Sequence, residues 1–375
     1  MIKNKKTVVV GMSGGVDSSV AALLLKQQGY RVIGLFMKNW EDKDENGICH
    51  ATQDFDDVRQ VCDRLDIPYY SINFVEEYRN EVFKHFISDL KKGLTPNPDI
   101  LCNREIKFKV FLEKAIELGA DYLATGHYCQ IQEKNNLLYL KKGEDPNKDQ
   151  TYFLYTINHS ILQKVLFPIG CLQKSEVRQL AKDFQLVTAD KKDSTGICFI
   201  GDRHFRTFVS QYIAFHPGCF ETLEGKKVGN HFGAAYYTIG QRKGLGIGGA
   251  GDAWFVVDKD MKKNVVFVEQ GAEHPALFCD ELIANQLSWV GEVPGEFPFV
   301  CSAKTRYRQM DQPCVIESIE NGCAIVKFLQ PQRAITLGQS VVFYLNDLCL
   351  GGGVIEKRGP THYEKMQTDL SIKTC

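Results

Sequence analysis

The first half of the chain alternates between apolar runs typical of buried strands and apolar positions repeated at helical spacing. The first strand is predicted over Lys6–Val10 and the first helix over residues 16–29. Further strands are predicted over Arg31–Met37, Tyr69–Phe74 and Asp121–Gly126, and helices over Asp54–Asp66, Glu76–Lys92, Asn103–Leu118 and Ser175–Phe184. This alternation predicts an α/β fold with a doubly wound parallel sheet that binds ligands at the carboxyl ends of its strands.

The pattern changes after about Phe205, where short β-rich runs separated by Gly, Asn, Asp and Pro replace the helical periods. We predict a small β-rich middle domain with strands Tyr236–Ile239, Ala253–Val257 and Val265–Val268. A C-terminal β-barrel is predicted to follow, with strands Phe299–Ala303, Cys314–Ile319, Ala324–Phe328 and Ser340–Tyr344. The predicted domains span residues 1–204, 205–280 and 281–375, with a loose polar tail after Gly359.

Composition fits a globular enzyme with more than one core. The 375 residues are 44% hydrophobic, and no apolar run approaches the length of a membrane span. The first strand starts so early that we expect no signal peptide, and we expect a cytoplasmic protein and a monomer. The 13 cysteines include no CxxC pair, which argues against zinc ribbons and thioredoxin-type sites.

Net charge weighs against a generic nucleic-acid binder, because the chain carries −1 at pH 7 and such domains are usually basic. An RNA substrate would therefore need local cationic patches. The clearest candidate is the group Lys304, Arg306 and Arg308 around the ring of Tyr307. A solvated strand face would account for the same group of residues.

A glycine-rich segment, GMSGGVDSS over Gly11–Ser19, connects the first predicted strand to the first helix. A turn at this place aims backbone N–H groups and the positive end of a helix dipole at one point, which is the geometry of an anion site. The segment contains no lysine, so it differs from the Walker-type loop that grips β- and γ-phosphates. A turn that only reverses the chain is the alternative.

Two cysteines differ from the others in their surroundings. Cys102 follows the proline-stiffened segment Thr95–Asp99 (TPNPD) and immediately precedes the predicted helix. A thiolate at a helix N-terminus is stabilised, so Cys102 is a candidate nucleophile, although a packed cysteine is equally compatible. Cys198 lies in the segment Asp193–Gly201, where Gly196 and polar neighbours predict an exposed loop beside a short apolar strand. Taken alone, this segment favours a packed cysteine over a reactive one.

The segment SGGVDS resembles the signature of the PP-loop ATP pyrophosphatases, which cleave ATP between the α- and β-phosphates. By that resemblance Asp17 would help to hold Mg²⁺. Six segments together, GMSGGVDSS, TPNPDILCN, ATGHY, KDQTYFL, STGICFIG and YTIGQRKGLGIGG, resemble the tRNA-specific 2-thiouridylases of bacteria and mitochondria. They occur in the order found in that family and span most of the chain.

The resemblance implies a set of binding residues. ATP would contact Gly11, Met12, Ser13, Gly14, Gly15, Val16, Asp17, Ser18, Met37 and Gly126. The target base would contact Asn97, Pro98 and Asp99, and the rest of the tRNA would contact Lys148, Asp149, Gln150, Arg306 and Tyr307. His127 either lines the nucleotide pocket or is a packed loop residue.

The resemblance also implies a reaction, the replacement of the 2-oxygen of the wobble uridine by sulfur. ATP would adenylate that oxygen with release of pyrophosphate, and sulfur would arrive as a persulfide on Cys198 from a sulfur-relay protein or cysteine desulfurase. Cys102 would attack the persulfide or assist transfer, leaving a Cys102–Cys198 disulfide that must be reduced. Asp99 would act as general base or, alternatively, would only form an Asx-type turn. The uridine would have to flip out of the anticodon stack.

Three alternatives remain open from the residues alone. One is another PP-loop adenylating ligase, which would leave Cys102 and Cys198 without a task. The second is a sulfurtransferase acting on a different base, although the missing CxxC pair disfavours the 2-thiocytidine version. The third is a non-catalytic RNA-binding or nucleotide-sensing module, which the complete SGGVDS segment argues against.

Overall fold

The computed structural model describes residues 5–41, 50–193, 205–214 and 216–373. The strands are β1 Thr7–Met12, β2 Arg31–Lys38, β3 Tyr69–Asn73, β4 Tyr122–Ala124, β5 Cys129–Lys134, β6 Leu137–Lys142, β7 Val165–Leu166, β8 Gly218–Glu221, β9 Lys227–His231, β10 Trp254–Asp260, β11 Val265–Gln270, β12 Phe278–Trp289, β13 Phe299–Lys304, β14 Gln312–Glu320, β15 Cys323–Arg333, β16 Ser340–Leu345 and β17 Leu348–Arg358.

The α-helices are α1 Val16–Gln27, α2 His50–Leu65, α3 Val75–Tyr78, α4 Lys84–Lys91, α5 Pro98–Leu101, α6 Phe111–Glu117, α7 His159–Leu162, α8 Lys174–Asp183, α9 Phe205–Val209 and α10 His362–Lys373. Two π-helical segments, Arg79–Phe83 and Cys102–Val110, join α3 to α4 and α5 to α6. Short 3₁₀ turns cover Thr151–Phe153, Ala234–Tyr236 and Pro275–Leu277. Among the described residues, every helix is too short or too polar to cross a lipid bilayer.

The N-terminal unit confirms the predicted doubly wound α/β fold. Its parallel sheet has the strand order β3-β2-β1-β4-β7, with β1 in the centre. Val8, Val9 and Val10 of β1 are fully buried, because helices cover both faces of the sheet. The carboxyl ends of β1 and β4 are therefore neighbours, and the glycine-rich segment follows the first of them.

The middle unit is a four-stranded sheet in the order β10-β11-β8-β9. The predicted strand Tyr236–Ile239 is wrong, since the chain forms a 3₁₀ turn at Ala234–Tyr236 and then continues without joining a sheet. Glycines with positive φ stand on both sides, Gly233 at +141° and Gly240 at +82°. They turn the chain before and after the apolar run, so its alternating pattern serves packing rather than strand pairing.

The C-terminal unit is the predicted β-barrel. Its six strands close in the order β12-β15-β14-β13-β16-β17, and β12 pairs again with β17. The hairpin β5–β6, which the sequence pattern did not predict, extends this sheet from the N-terminal unit: Leu140 of β6 pairs with Cys349 of β17. Both residues are fully buried. One hydrogen-bonded sheet therefore runs from the barrel into the N-terminal unit.

The polar tail after Gly359 is a helix, α10, and the prediction of a loose tail is wrong. Thr361 caps it, because the Glu364 N–H donates to Thr361 Oγ1 at 3.2 Å and the Glu364 carboxylate accepts from the Thr361 N–H at 2.6 Å. Arg358 also pairs with Glu364 at 2.8 Å. These contacts form a capping box that fixes the start of the helix.

Candidate active site

The glycine-rich segment forms a tight turn between β1 and α1 that its own serines hold in place. Ser18 Oγ accepts from the Ser13 N–H at 3.2 Å and lies 3.2 Å from both Ser13 Oγ and the carbonyl oxygen of Gly15. Ser19 Oγ donates to the same carbonyl at 2.8 Å. Gly15 is the N-cap of α1 and offers no side chain, so the first N–H groups of the helix receive no side-chain cap. Such uncapped N–H groups suit an anionic ligand.

Two glycines allow backbone segments to meet at this turn. A Cβ on Gly126, which follows β4, would lie 2.7 Å from the backbone nitrogen of Ser18 and 2.8 Å from the carbonyl carbon of Asp17. A Cβ on Gly14, whose φ is +74°, would lie 2.6 Å from the carbonyl oxygen of Asp54. The site thus brings together the ends of β1 and β4 and the helix α2, as expected for the edge of a parallel sheet.

Asp17, in the first turn of α1, is held by two side chains from distant parts of the sequence. Lys174 Nζ lies 2.7 and 2.8 Å from its two carboxylate oxygens, and the Tyr128 hydroxyl donates to one of them at 2.7 Å. Burial, followed by the charge of Asp17, raises the pKa of Tyr128, so this hydroxyl remains a donor. The turn itself lacks a lysine, and α8 supplies one.

The fit of this site to Mg²⁺ depends on Asp17. The described residues contain no group of three or more His, Cys, Asp or Glu side chains that could hold a metal alone. Mg²⁺ is commonly bound by one or two carboxylates together with substrate phosphates, so a single carboxylate beside a phosphate-sized turn fits that ion. Asp17 is then the residue that would hold it.

A second carboxylate, Asp193, forms ion pairs with three cationic side chains, one of which, Lys174, also binds Asp17. Lys148 lies 2.7 Å, Lys174 2.8 Å and Arg178 3.0 Å from its oxygens. Burial opposes ionisation of Asp193, but the hydrogen bonds from Lys148 and Lys174 outweigh it and hold its pKa at about 2. Lys148, which the resemblance assigns to tRNA binding, is therefore engaged by Asp193 in this structure.

The TPNPD segment leads into a helix that starts earlier than the sequence pattern predicted. Asn97 is its N-cap, with Oδ1 accepting from the N–H groups of Asp99 at 3.2 Å and Ile100 at 3.4 Å, and Pro98 is buried in the first turn. The expectation that Cys102 stands just before the helix is wrong. Pro98–Leu101 is already helical, and Cys102 begins the π-helical continuation with 1% of its surface exposed.

The pKa values of two groups near this helix, Asp99 and His127, are shifted by burial and by the positive charge of Lys107. Burial raises the pKa of Asp99, and the positive charge of Lys107 opposes that rise. Burial and the same lysine hold the pKa of His127 well below its usual range, so this imidazole is neutral near neutral pH. His127 Nδ1 lies 2.7 Å from Thr125 Oγ1, with Gly126 between them in sequence. The charge of Lys107 thus lowers the pKa of both Asp99 and His127.

The residues that the resemblance assigns to tRNA are largely engaged within the protein. Asp149 is buried and accepts from Thr151 Oγ1 at 2.9 Å and from the Gly143 N–H at 3.2 Å. Gln150 accepts the Tyr128 N–H at 2.9 Å. Of the predicted cationic patch, Lys304 is mostly buried, between Asp149 at 3.7 Å and Asp311 at 3.6 Å.

The other members of the patch divide between the interior and the surface. The Arg306 guanidinium donates to the carbonyl oxygens of Ile239 (3.0 Å) and Ala334 and so joins the middle unit to the barrel. Tyr307 packs on Phe153, with 4.4 Å between ring centroids, and Arg308 is exposed above the Tyr307 ring. Only Arg308 of the three cations offers an open charge on the surface.

The remaining predicted site residues lie at this edge of the sheet, apart from Cys198. Gly11 and Met12 end β1, Val16 starts α1, and Met37 lies near the end of the adjacent strand β2, all at the same edge of the sheet. The helix after TPNPD reaches this edge, because a Cβ on Gly11 would lie 3.1 Å from the ring of Phe111. Cys198 lies outside the described residues.

Sequence reasoning missed Tyr128 and Lys174. Tyr128 directly follows the GH of ATGHY, so its position beside a motif could have marked it. Lys174 stands 157 residues from Asp17 in an ordinary amphipathic helix, and no local signal distinguishes it from other lysines.

Three family models match the chain in succession. They are described as a tRNA methyl transferase HUP domain over residues 6–202, a tRNA methyl transferase PRC-barrel domain over 206–270 and an aminomethyltransferase β-barrel domain over 279–355. The three matches follow the order of the three units in the structure.

Curated relatives match over almost the whole length. A tRNA-specific 2-thiouridylase MnmA from Protochlamydia amoebophila is 68% identical over 98% of both chains, and one from Shouchella clausii is 56% identical over 93% of this chain and 96% of its own. A solved structure of the U34-tRNA thiolase NcsA from Methanococcus maripaludis matches 56% of this chain and 66% of its own, with 22% identity and a TM-score of 0.34.

Proposed function

The chain belongs to the family of tRNA-specific 2-thiouridylases, and from this premise we propose that it is an ATP-dependent tRNA sulfurtransferase that places sulfur at the 2-position of the wobble uridine. One observation supports this activity more than any other. The glycine turn with Asp17 and Lys174 lies at the carboxyl edge of the sheet, where a Cβ on Gly11 would lie 3.1 Å from the ring of Phe111. Phe111 continues the helical segment that carries Asp99 and Cys102, and this contact supports a proposal in which that segment and the turn act on one substrate.

Activation of the uridine comes first, because oxygen is a poor leaving group. The 2-oxygen attacks the α-phosphorus of ATP, pyrophosphate leaves, and the base carries AMP at that oxygen. The uncapped N–H groups of α1 and the ammonium of Lys174 stabilise the charge that grows on the phosphates. Mg²⁺ held by Asp17 would supply further positive charge there. Asp99 accepts the N3 proton of the uracil ring, which makes the 2-oxygen more nucleophilic.

Sulfur transfer follows at C2 of the uracil ring, the carbon that carries the activated oxygen. The terminal sulfur of a Cys198 persulfide, supplied by a sulfur-relay protein or cysteine desulfurase, attacks C2 directly, or Cys102 first releases it as sulfide. AMP leaves with the original oxygen. In either route the Cys102 thiolate bonds to Sγ of Cys198 and breaks its bond to the outer sulfur, which leaves as sulfide or as the sulfur already bonded to C2. The resulting disulfide requires two electrons from an external reductant before the next cycle.

Reconstitution tests this proposal. Purified protein, ATP, Mg²⁺, unmodified tRNA, cysteine and a cysteine desulfurase should together yield 2-thiouridine at the wobble position, detected by mass spectrometry of tRNA nucleosides. We expect one pyrophosphate and one AMP for each sulfur transferred. Pyrophosphate release with an amidated product, or no release at all, would contradict the proposal.

The pH dependence of the thiolation rate should show the titration of Asp99 as the general base. A base must be ionised, and burial raises the pKa of Asp99, so the rate should rise with pH through a value above that of an ordinary aspartate. Lys107 opposes this rise in pKa. Replacing it in Lys107→Met should therefore move the acidic limb of the single-turnover rate to higher pH.

The matched control for this measurement is Lys109→Met on the same helix. Lys109 is exposed and pairs with Glu105 at 2.8 Å, so its loss should leave the acidic limb in place. An acidic limb that does not move in Lys107→Met would exclude Asp99 as the titrating base.

A further inference from the structure

Lys259, on β10 of the middle unit, donates to carbonyl oxygens of two separate segments. Its Nζ lies 2.7 Å from the carbonyl oxygen of Gly93 and 2.8 Å from that of Tyr237. Burial lowers the pKa of Lys259 to about 8, and the charge of Asp258 opposes this only in part, so the ammonium is charged at neutral pH. A largely desolvated ammonium bound by backbone carbonyls holds those carbonyls firmly.

Gly93 is the point where the chain leaves α4 and approaches the TPNPD segment. Its φ is +80°, and a Cβ there would lie 2.4 Å from Cγ of Met261, which follows β10. The middle unit therefore contacts this point by direct packing as well as through Lys259.

The barrel holds the next residues of the same segment. The Thr95 N–H donates to the carbonyl oxygen of Leu337 at 2.9 Å, and Gln339 Nε2 donates to the carbonyl oxygen of Thr95 at 2.7 Å. A Cβ on Gly338 would lie 2.9 Å from Cβ of Leu94. The two residues before Pro96 are thus fixed from the barrel side, and Gly93 from the middle unit.

We propose that Lys259 is a positioning residue for thiolation, which holds the start of the TPNPD segment so that Asn97–Asp99 meet the target base in one geometry. This inference rests on the proposed function, in which those three residues contact the flipped uridine. Lys259 lies on a different unit from the TPNPD segment, so it acts on the base only indirectly. It does so through the Gly93 carbonyl and through the Tyr237 carbonyl, which adjoins Thr238, whose Oγ1 lies 3.5 Å from Thr95 Oγ1. Replacing Lys259 should leave the affinities for ATP and for the tRNA backbone unchanged.

The test compares Lys259→Met with Lys259→Arg and with the control Lys262→Met, an exposed lysine in the turn after β10. Under single turnover with saturating ATP and tRNA, Lys259→Met should lower the thiolation rate by about 10- to 100-fold, the scale of a small misplacement of a reacting group. Dissociation constants for ATP and tRNA should not change. Lys259→Arg, which keeps a cation with several donors, should restore most of the rate.

Amide hydrogen exchange tests whether Lys259 holds the TPNPD segment in place. Residues 93–101 should exchange faster in Lys259→Met than in the unmodified protein, while the barrel strands remain unchanged. Unaltered exchange, an unaltered thiolation rate, or an equal loss of ATP binding, tRNA binding and thiolation would each overturn the inference. If the unmodified protein formed no 2-thiouridine, the proposed function would fail, and the exchange rates would still support or overturn the role of Lys259.

Discussion

Cys102→Ser is expected to abolish 2-thiolation, with the rate falling by about 10³-fold or more because a serine hydroxyl cannot replace a thiolate nucleophile. Cys198→Ser should have an effect of the same size, since it removes the atom that carries the persulfide. Both exchanges are nearly isosteric. Cys102 has 1% of its surface exposed and lies in the second turn from the Asn97 cap, so the site around it should keep its shape.

The measurement must separate sulfur transfer from activation. Each variant should bind ATP with the affinity of the unmodified protein, while 2-thiouridine in the product tRNA disappears. Cys171→Ser is the control, because Cys171 is exposed and lies before α8. Full thiolation by either Cys102→Ser or Cys198→Ser would show that the persulfide scheme is wrong.

Lys174→Met is expected to slow pyrophosphate release by about 100-fold, the scale of removing one donor that stabilises a developing anion. The lysine lies 2.7 and 2.8 Å from the Asp17 oxygens and 2.8 Å from Asp193, so its charge balances two carboxylates beside the glycine turn between β1 and α1. Methionine keeps an unbranched side chain, one heavy atom shorter, but removes that charge. The two carboxylates would then repel both each other and the phosphates of ATP.

A second lysine on the same helix provides the comparison. Lys182 is exposed and pairs with the exposed Asp190 at 3.3 Å, so Lys182→Met should release pyrophosphate at the rate of the wild-type protein. Pyrophosphate release is measured over a range of ATP concentrations with tRNA at saturation. If both variants behaved alike, Lys174 would have no special part in activation.

Local patterns predicted most of the units but not how they join. The parallel sheet follows from the alternation of strand and helix, and its central strand β1 is an uninterrupted apolar run. The hairpin β5–β6 pairs with β17, which lies about 200 residues further along the chain, and no local period in the sequence encodes that pairing. The same limit explains why Lys174 was not predicted.

Three errors arose although signals against them were present in the sequence. Thr361 and Glu364 stand three residues apart, the spacing of a capping box, and this pair indicated the helix at the C-terminal end. The flanking glycines Gly233 and Gly240 indicated that the apolar run between them was not a strand. Cys102 was predicted to stand just before the helix. Asn97 and Pro98 together are a typical helix start, and they place the N-cap five residues earlier.

The sheet shared by β6 and β17 has a consequence for chimeric enzymes. A barrel taken from a relative would have to bring along, or match, the edge that pairs with Leu140 and Lys141, because otherwise unpaired backbone N–H and C=O groups of β6 would face solvent and favour aggregation. A shortened protein ending near residue 204 would carry the same open edge. Grafting experiments should therefore exchange the hairpin and the barrel as one piece, although more than 130 residues separate them in sequence.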